Sequence, residues 1–234
     1  MRIPLLAATA LAAALPLLLA GCSPSAPGAA ADASGSAAAG SADPDAGLLT
    51  GARLATALVT TGIPAGYAAS GSGTENSGSD FQTPSDPATA GPKCANLEAT
   101  GWVNLAGYGS ASFAQNDYVN NGSSEEFAQE IDAYQGTTAQ AVMAALAKLG
   151  TACPSFSDSG TKSTVKVAVA TGASLGDGTV TITLTDPSWS SSETLVAVRV
   201  GTNVVTVLNS ATGDSAAYAN SLAGAITANV KKLG

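Results

Sequence analysis

Thr194-Leu195-Val196-Ala197-Val198-Arg199-Val200-Gly201-Thr202-Asn203-Val204-Val205-Thr206-Val207-Leu208 is the stretch that decides the fold class. Two apolar runs, Thr194 to Val200 and Val204 to Leu208, flank Gly201-Thr202-Asn203 and read as a hairpin with a three-residue loop. Just upstream, Val165, Val167 and Val169 alternate with polar or small residues, as do Val180, Ile182 and Leu184 against Thr181, Thr183 and Thr185. A two-residue period of this kind is the signature of strands. Gly176-Asp177-Gly178 joins two of these strands, so it reads as a hairpin turn and not as a phosphate-binding loop, which would link a strand to a helix.

Helical spacing appears on either side of this block. Val142, Met143, Leu146 and Leu149 share one face of a helix that starts at Gly136-Thr137-Thr138, with Gly150 in the position of a left-handed C-terminal cap. Tyr218, Leu222, Ile226, Val230 and Leu233 define a C-terminal helix capped by Ser215, with Lys231 and Lys232 in its last turn, where they suit the helix dipole. Leu48, Leu49, Leu54, Leu58 and Val59 predict a further helix with Asp45 as its cap, stopped at Ile63-Pro64-Ala65-Gly66-Tyr67. Trp102 to Gln115 reads as a strand with Gly107 and Gly109 as irregularities. Glu125–Tyr134 fits a strand with one wet face, or a helix through Phe127, Ile131 and Tyr134. Ala68 to Pro92, rich in Gly, Ser, Asp and Pro, reads as a long exposed loop. The sum is an α+β fold, an antiparallel β-sheet packed against helices in a single domain.

Before this domain the chain is of a different kind. Arg2 precedes an apolar segment from Ile3 to Ala20 that ends in Leu19-Ala20-Gly21-Cys22. Small residues before a cysteine form a lipobox, so residues 1–21 are expected to be a lipoprotein signal peptide. Pro16 and the small-residue cleavage signal favour a removed leader over a retained helix. Cys22 is then the lipidation site, and a diacylglycerol anchor there would hold the protein on the extracytoplasmic face of the cell membrane. Residues 22–47 carry Ala, Ser, Gly, Pro and Asp and too little apolar surface to offset ordering entropy, so a disordered tether is expected. The folded domain is expected over residues 48–234.

Composition narrows the function. With 9 basic and 17 acidic residues the chain carries a formal net charge of −8, and loss of Arg2 with the leader makes it −9. Such a balance argues against a nucleic-acid partner, whose phosphates it would repel. The chain has no histidine, which removes Ser-His-Asp and Cys-His catalysis and histidine metal sites together. No cofactor and no metal site is expected. With Cys22 assigned to lipid, Cys94 and Cys153 remain as an even pair in an exported chain and are expected to form a disulfide.

Candidate chemistry is sparse. Ser163-Thr164-Val165-Lys166 matches the Ser-x-x-Lys nucleophile motif, but it begins an alternating strand, where that chemistry needs a helix start. Glu125, Glu126, Glu130 and Asp132 could supply an acid and a base as glycosidases do. Nothing in their spacing places one in an apolar pocket, so a solvated face is the expectation. Two carboxylates close together in a cleft would revive a histidine-free hydrolase. Among the large amphipathic side chains, Trp102, Tyr108, Tyr118 and Trp189 are the candidates for ligand contact, with Trp189 expected to be exposed in the polar stretch Pro187 to Ser192.

From Leu48 to Leu233 the chain resembles the PknH-like extracellular sensor-domain family, many of whose members are actinobacterial lipoproteins. The resemblance rests on Leu48-Leu49 before Pro64-Ala65-Gly66-Tyr67, on Cys94 before Leu97, on Ser110-Ala111-Ser112, on Cys153-Pro154-Ser155-Phe156, and on Arg199-Val200-Gly201 before Asn203-Val204-Val205. It implies an α+β fold, a cleft for an extracellular ligand, and no enzyme activity. The kinase members carry two disulfides, where this chain has cysteines for one. The expected function is a membrane-anchored, non-catalytic ligand-binding or sensor-like lipoprotein whose partner is an extracellular small molecule, glycan or protein. A structural or envelope-interaction module is the alternative.

Overall fold

The computed structural model describes residues 43–84, 94–98, 105–123, 125–172, 174–210 and 215–234. The leader, Cys22, most of the expected tether and Trp102 lie outside these residues.

A nine-stranded antiparallel sheet forms the middle of the domain. Its strands are β1 (Tyr67–Ala69), β2 (Glu75–Asn76), β3 (Ser112–Asn120), β4 (Glu126–Ala133), β5 (Ser155–Ser157), β6 (Thr164–Gly172), β7 (Gly178–Thr185), β8 (Glu193–Val200) and β9 (Asn203–Asn209). They run in the order β1-β3-β4-β9-β8-β7-β6-β5, and β2 shares the outer edge of β3 with β1. The helices are α1 (Gly51–Ala55), α2 (Thr138–Ala147), α3 (Leu149–Ala152) and α4 (Ser215–Leu233), with a 3₁₀ turn at Cys94–Glu98.

The central strands explain the layering. Along β8, Leu195 and Ala197 face one core while Val196 and Val198 face the other, and on β9 Val204 and Leu208 oppose Val205 and Val207. Strands buried on both sides need apolar residues at nearly every position, which is why this stretch shows no polar alternation. On one face α4 lies over β8 and β9 and α1 lies on β3 and β4. There Phe127 stacks on Tyr118 at 4.7 Å between ring centroids, with Tyr67 at 5.2 Å and Tyr218 at 5.4 Å. On the other face α2 lies over β6, β7 and β8, and α3 packs on β6. The Cys94–Cys153 disulfide, Cα atoms 5.6 Å apart, ties the 3₁₀ turn to the end of α3 in that second core.

Several local readings are corrected. The β8–β9 loop has two residues, Gly201 and Thr202, because Asn203 already pairs with Val200. Gly201 at φ +60° occupies the first central position, as a type II′ turn requires. The N-terminal helix is one short turn, with Thr50 and not Asp45 as its cap. Asp45 instead accepts from the Gln135 side chain at 2.7 Å, so the folded unit takes in the turn at 44–47 that composition assigns to the tether. Gly150 is no cap: it sits inside α3, where a Cβ would lie 3.2 Å from Val169 Cγ2, so its role is close approach of helix to strand. Ser215 is the first residue of α4, its hydroxyl donating to the Ser192 carbonyl at 3.1 Å. The expected loop Ala68 to Pro92 contains β2 and the last two residues of β1, and residues 85–92 of it lie outside the described residues. Glu125–Tyr134 resolves to strand.

Candidate functional site

The two faces of β4 have different fates. Phe127, Gln129, Ile131 and Ala133 point into the layer beneath α1 and α4, and Gln129 is fully buried there. Alternation then sends Ala128, Glu130 and Asp132 to the opposite face. On that face the helices stand over β6 to β8, and β3 and β4 instead form the floor of a cleft of about 290 Å³. This volume lies at the lower end of small-molecule sites, roughly 300–1,000 Å³.

Register sets the floor. Asp132 lies across from Phe113 on β3 and Val204 on β9, and Glu130 lies across from Gln115 and Thr206. Glu130, Asp132, Phe113 and Gln115 all line the cleft. One wall is the segment from Glu75 to Pro84, held against β3 by its backbone. Glu75 pairs with Gln115, the Ser77 N–H donates to the Phe113 carbonyl at 3.0 Å, and the Gln82 N–H donates to the Ala111 carbonyl at 2.7 Å. The second wall is Tyr108-Gly109-Ser110, which leads into β3 after the Gly107 turn at φ +77°.

The electrostatics are one-sided. Asp132 is 1% exposed, and its Oδ1 has no hydrogen-bond partner. Burial pushes its carboxyl up to about 7, opposed by a hydrogen bond with the Ser110 side chain. Burial also holds Glu130 well above the usual carboxylate range, and the charges of Asp132, Asp117 and Glu75 add to this. Tyr134, buried beside them, is raised by burial and then by the charges of Asp132 and Glu130. No described lysine or arginine pairs with either carboxylate; the salt bridge seen among the described residues joins Arg199 to Asp177 at 3.3 Å. Thr206 Oγ1, beside Glu130 on β9, is likewise buried without a partner.

The expectation of a solvated face is therefore corrected for Asp132. The walls at 75–84 and 108–110 come from sequence-distant segments; they bury Asp132 and leave Glu130 half-buried on the cleft floor. The pairing of the two carboxylates is side by side on one strand face, about 7 Å apart along the backbone at roughly 3.4 Å per residue.

The aromatic candidates scatter. Tyr108 lines the cleft. Tyr118 is buried on the opposite face, stacked on Phe127 and donating to the Val59 carbonyl at 3.3 Å, so it is core. Trp189 is half-buried against the second core, its indole N–H donating to Asp158 Oδ2 at 3.3 Å. It lines a separate cavity of about 330 Å³ with Ser188, Ser190, Ser191, Glu193 and Ser210. Burial, with a contribution from the Glu126 charge, pushes Glu193 up to about 7. Trp102 lies outside the described residues. Ser163 donates to Asp186 Oδ2 at the start of β6, where Lys166 is exposed, so the Ser-x-x-Lys match is a strand edge. Among the described residues no three His, Cys, Asp or Glu side chains converge as a metal site would require, and no helix is long and apolar enough to cross a membrane.

No family model and no curated protein matches the chain. Among solved structures, the extracellular domain of PknH from Mycobacterium tuberculosis matches with a TM-score of 0.52 at 13% identity, covering 79% of this chain and 98% of that one. The two share a fold.

Proposed function

We propose that this protein is a lipid-anchored, extracytoplasmic, non-catalytic ligand-binding module, and that the cleft over β3 and β4 is its binding site. The observation that carries the reading is Asp132, a buried carboxylate with an unpartnered oxygen at the floor of a cleft of small-molecule size. Burying such a group without a partner costs free energy that packing alone would have removed, so a ligand donor is its natural complement. The likeness in fold to an extracellular domain and the Leu19-Ala20-Gly21-Cys22 lipobox both support the extracytoplasmic address.

Hydrolysis is the less favoured use of the same carboxylates. Glycosidases set their two carboxyl groups on opposite sides of the scissile bond. Glu130 and Asp132 leave the same strand face in the same direction, which suits joint contact with one ligand group. The test is a thermal-shift screen of small molecules and glycans on the full chain in detergent. The reading expects at least one compound to raise the melting temperature, with the shift lost in Asp132→Asn. If none does, the cleft is not a ligand site and an envelope-interaction module becomes the better account.

A further inference from the structure

The cleft has a charge deficit as well as a hydrogen-bond deficit, and the two together narrow the ligand. Asp117 on β3 and Glu126, Glu130 and Asp132 on β4 share one face of the sheet, and Glu75 reaches it from β2. They feel one another: the charges of Asp117 and Glu75 act on Glu130, and that of Asp117 acts on Glu126. The neighbouring positions of β9, Val204, Thr206 and Leu208, bring no ionisable group. Tyr108 on the cleft wall and Tyr134, buried in the core and acted on by the charges of Asp132 and Glu130, are the other titratable groups near these acids.

A neutral ligand would give Asp132 Oδ1 a donor and leave the clustered negative charge in place. A cation supplies both. Glu130 and Asp132 stand about 7 Å apart along β4, the other acids lie on neighbouring strands or further along it, and among the described residues no three converge as metal ligands. That spacing disfavours a bare metal ion, which needs several oxygens within about 2.0–2.6 Å. It suits a head group whose several N–H donors spread outward, as an ammonium or a planar guanidinium does. Phe113 on the floor and Tyr108 on the wall add ring faces of the kind that attract such cations.

We propose that the cleft takes a small organic cation, with an alkylammonium or guanidinium group set between Glu130 and Asp132. This rests on reading the cleft as the ligand site. Burial and mutual repulsion favour a proton on these carboxyls at low pH, and a bound cation would favour the charged form, so binding is expected to displace protons below neutrality and to strengthen as the pH rises toward neutrality.

The experiment is calorimetric titration of the full chain in detergent with L-argininamide and spermidine. Nα-acetyl-L-citrullinamide, which is neutral at both pH values, and calcium chloride serve as comparison probes, each at pH 5.5 and pH 8.0. At least one organic cation is expected to bind tenfold or more tightly at pH 8.0 than at pH 5.5, with protons released at pH 5.5 and few at pH 8.0, and tighter than Nα-acetyl-L-citrullinamide. Asp132→Asn and Glu130→Gln should each weaken it tenfold or more, while Glu193→Gln, in the other cavity, should not. Glu130→Gln carries the test if Asp132→Asn does not fold. Equal binding of Nα-acetyl-L-citrullinamide, preference for calcium, or no loss in either cleft variant overturns the proposal. If a neutral compound from the thermal-shift screen binds in an Asp132-dependent way and neither cation does, the cleft remains a ligand site and only the cation assignment falls. If nothing binds there, both fall.

Discussion

Gln129 and Val59 form a reciprocal pair: the Gln129 side-chain amide donates to the Val59 carbonyl at 2.6 Å, and the Val59 N–H donates to Gln129 Oε1 at 2.9 Å. A fully buried side chain thus acts as one rung of a strand for the segment that leaves α1, pinning it to β4. Replacing it by Gln129→Leu keeps the volume, strands the Val59 N–H and leaves the Val59 carbonyl with the Tyr118 hydroxyl alone. The expected cost is about 2 kcal/mol. For a domain of this size that is a drop of about 4–8 °C in melting temperature. An unchanged melting curve would mean that Val59 finds other partners.

The buried acids set the pH dependence of stability. Asp132 and Glu193 are pushed up to about 7 in the fold, chiefly by burial, and Glu130 is raised too, whereas unfolded carboxyls titrate near 4. Between about pH 4 and 7 the folded chain therefore holds more protons than the unfolded chain, and stability falls as the pH rises. Asp158 and Asp186 are shifted the other way, by hydrogen bonds from Thr161 and from Ser163 respectively as the largest causes, and they act below that window. The melting temperature is expected to be higher at pH 5 than at pH 8, and Asp132→Asn should raise it at pH 8 and flatten the slope. A melting temperature that climbs from pH 5 to pH 8 would contradict this.

What the sequence makes legible follows from burial. β8 and β9 announce themselves because both faces are covered, and β6 and β7 because their apolar sides alternate with threonine or small residues. β1 and β2 give no such signal. Tyr67-Ala68-Ala69 and Glu75-Asn76 are short, largely exposed edge pieces whose pairing is supplied by β3. The cleft is hidden for a related reason. Glu130 and Asp132 alternate with Gln129 and Ile131 as a wet strand face would, and the walls at 75–84 and 108–110 turn that face into a cleft floor with Asp132 buried in it. Tyr118 shows the converse error. Its polar tip suggests a contact residue, but the hydroxyl is satisfied by Val59 inside the core.

The Cys94–Cys153 link closes a span of 59 residues. In the chain-entropy model such a loop is worth about 4 kcal/mol. Non-reducing alkylation followed by mass spectrometry should find neither Cys94 nor Cys153 modified, and reduction should lower the melting temperature by on the order of 10 °C. Finding both alkylated without reductant would count against the bond.

Membrane attachment depends on Cys22 alone in this account. A Cys22→Ser chain expressed in its native envelope should leave the membrane fraction, since the proposed anchor is carried by that side chain. Unchanged partitioning would point to a retained leader helix.

The most direct measurement is residue-resolved: backbone amide NMR of the full chain in detergent, titrated with a compound that raises its melting temperature. Shifts are expected to concentrate at Gln82, Thr83, Tyr108 to Ser110, Glu130 and Asp132, residues of the cleft lining that carry a backbone amide. A shift pattern centred instead on Ser188 to Glu193 and Ser210 would contradict the account and move the binding site to the cavity beside Trp189.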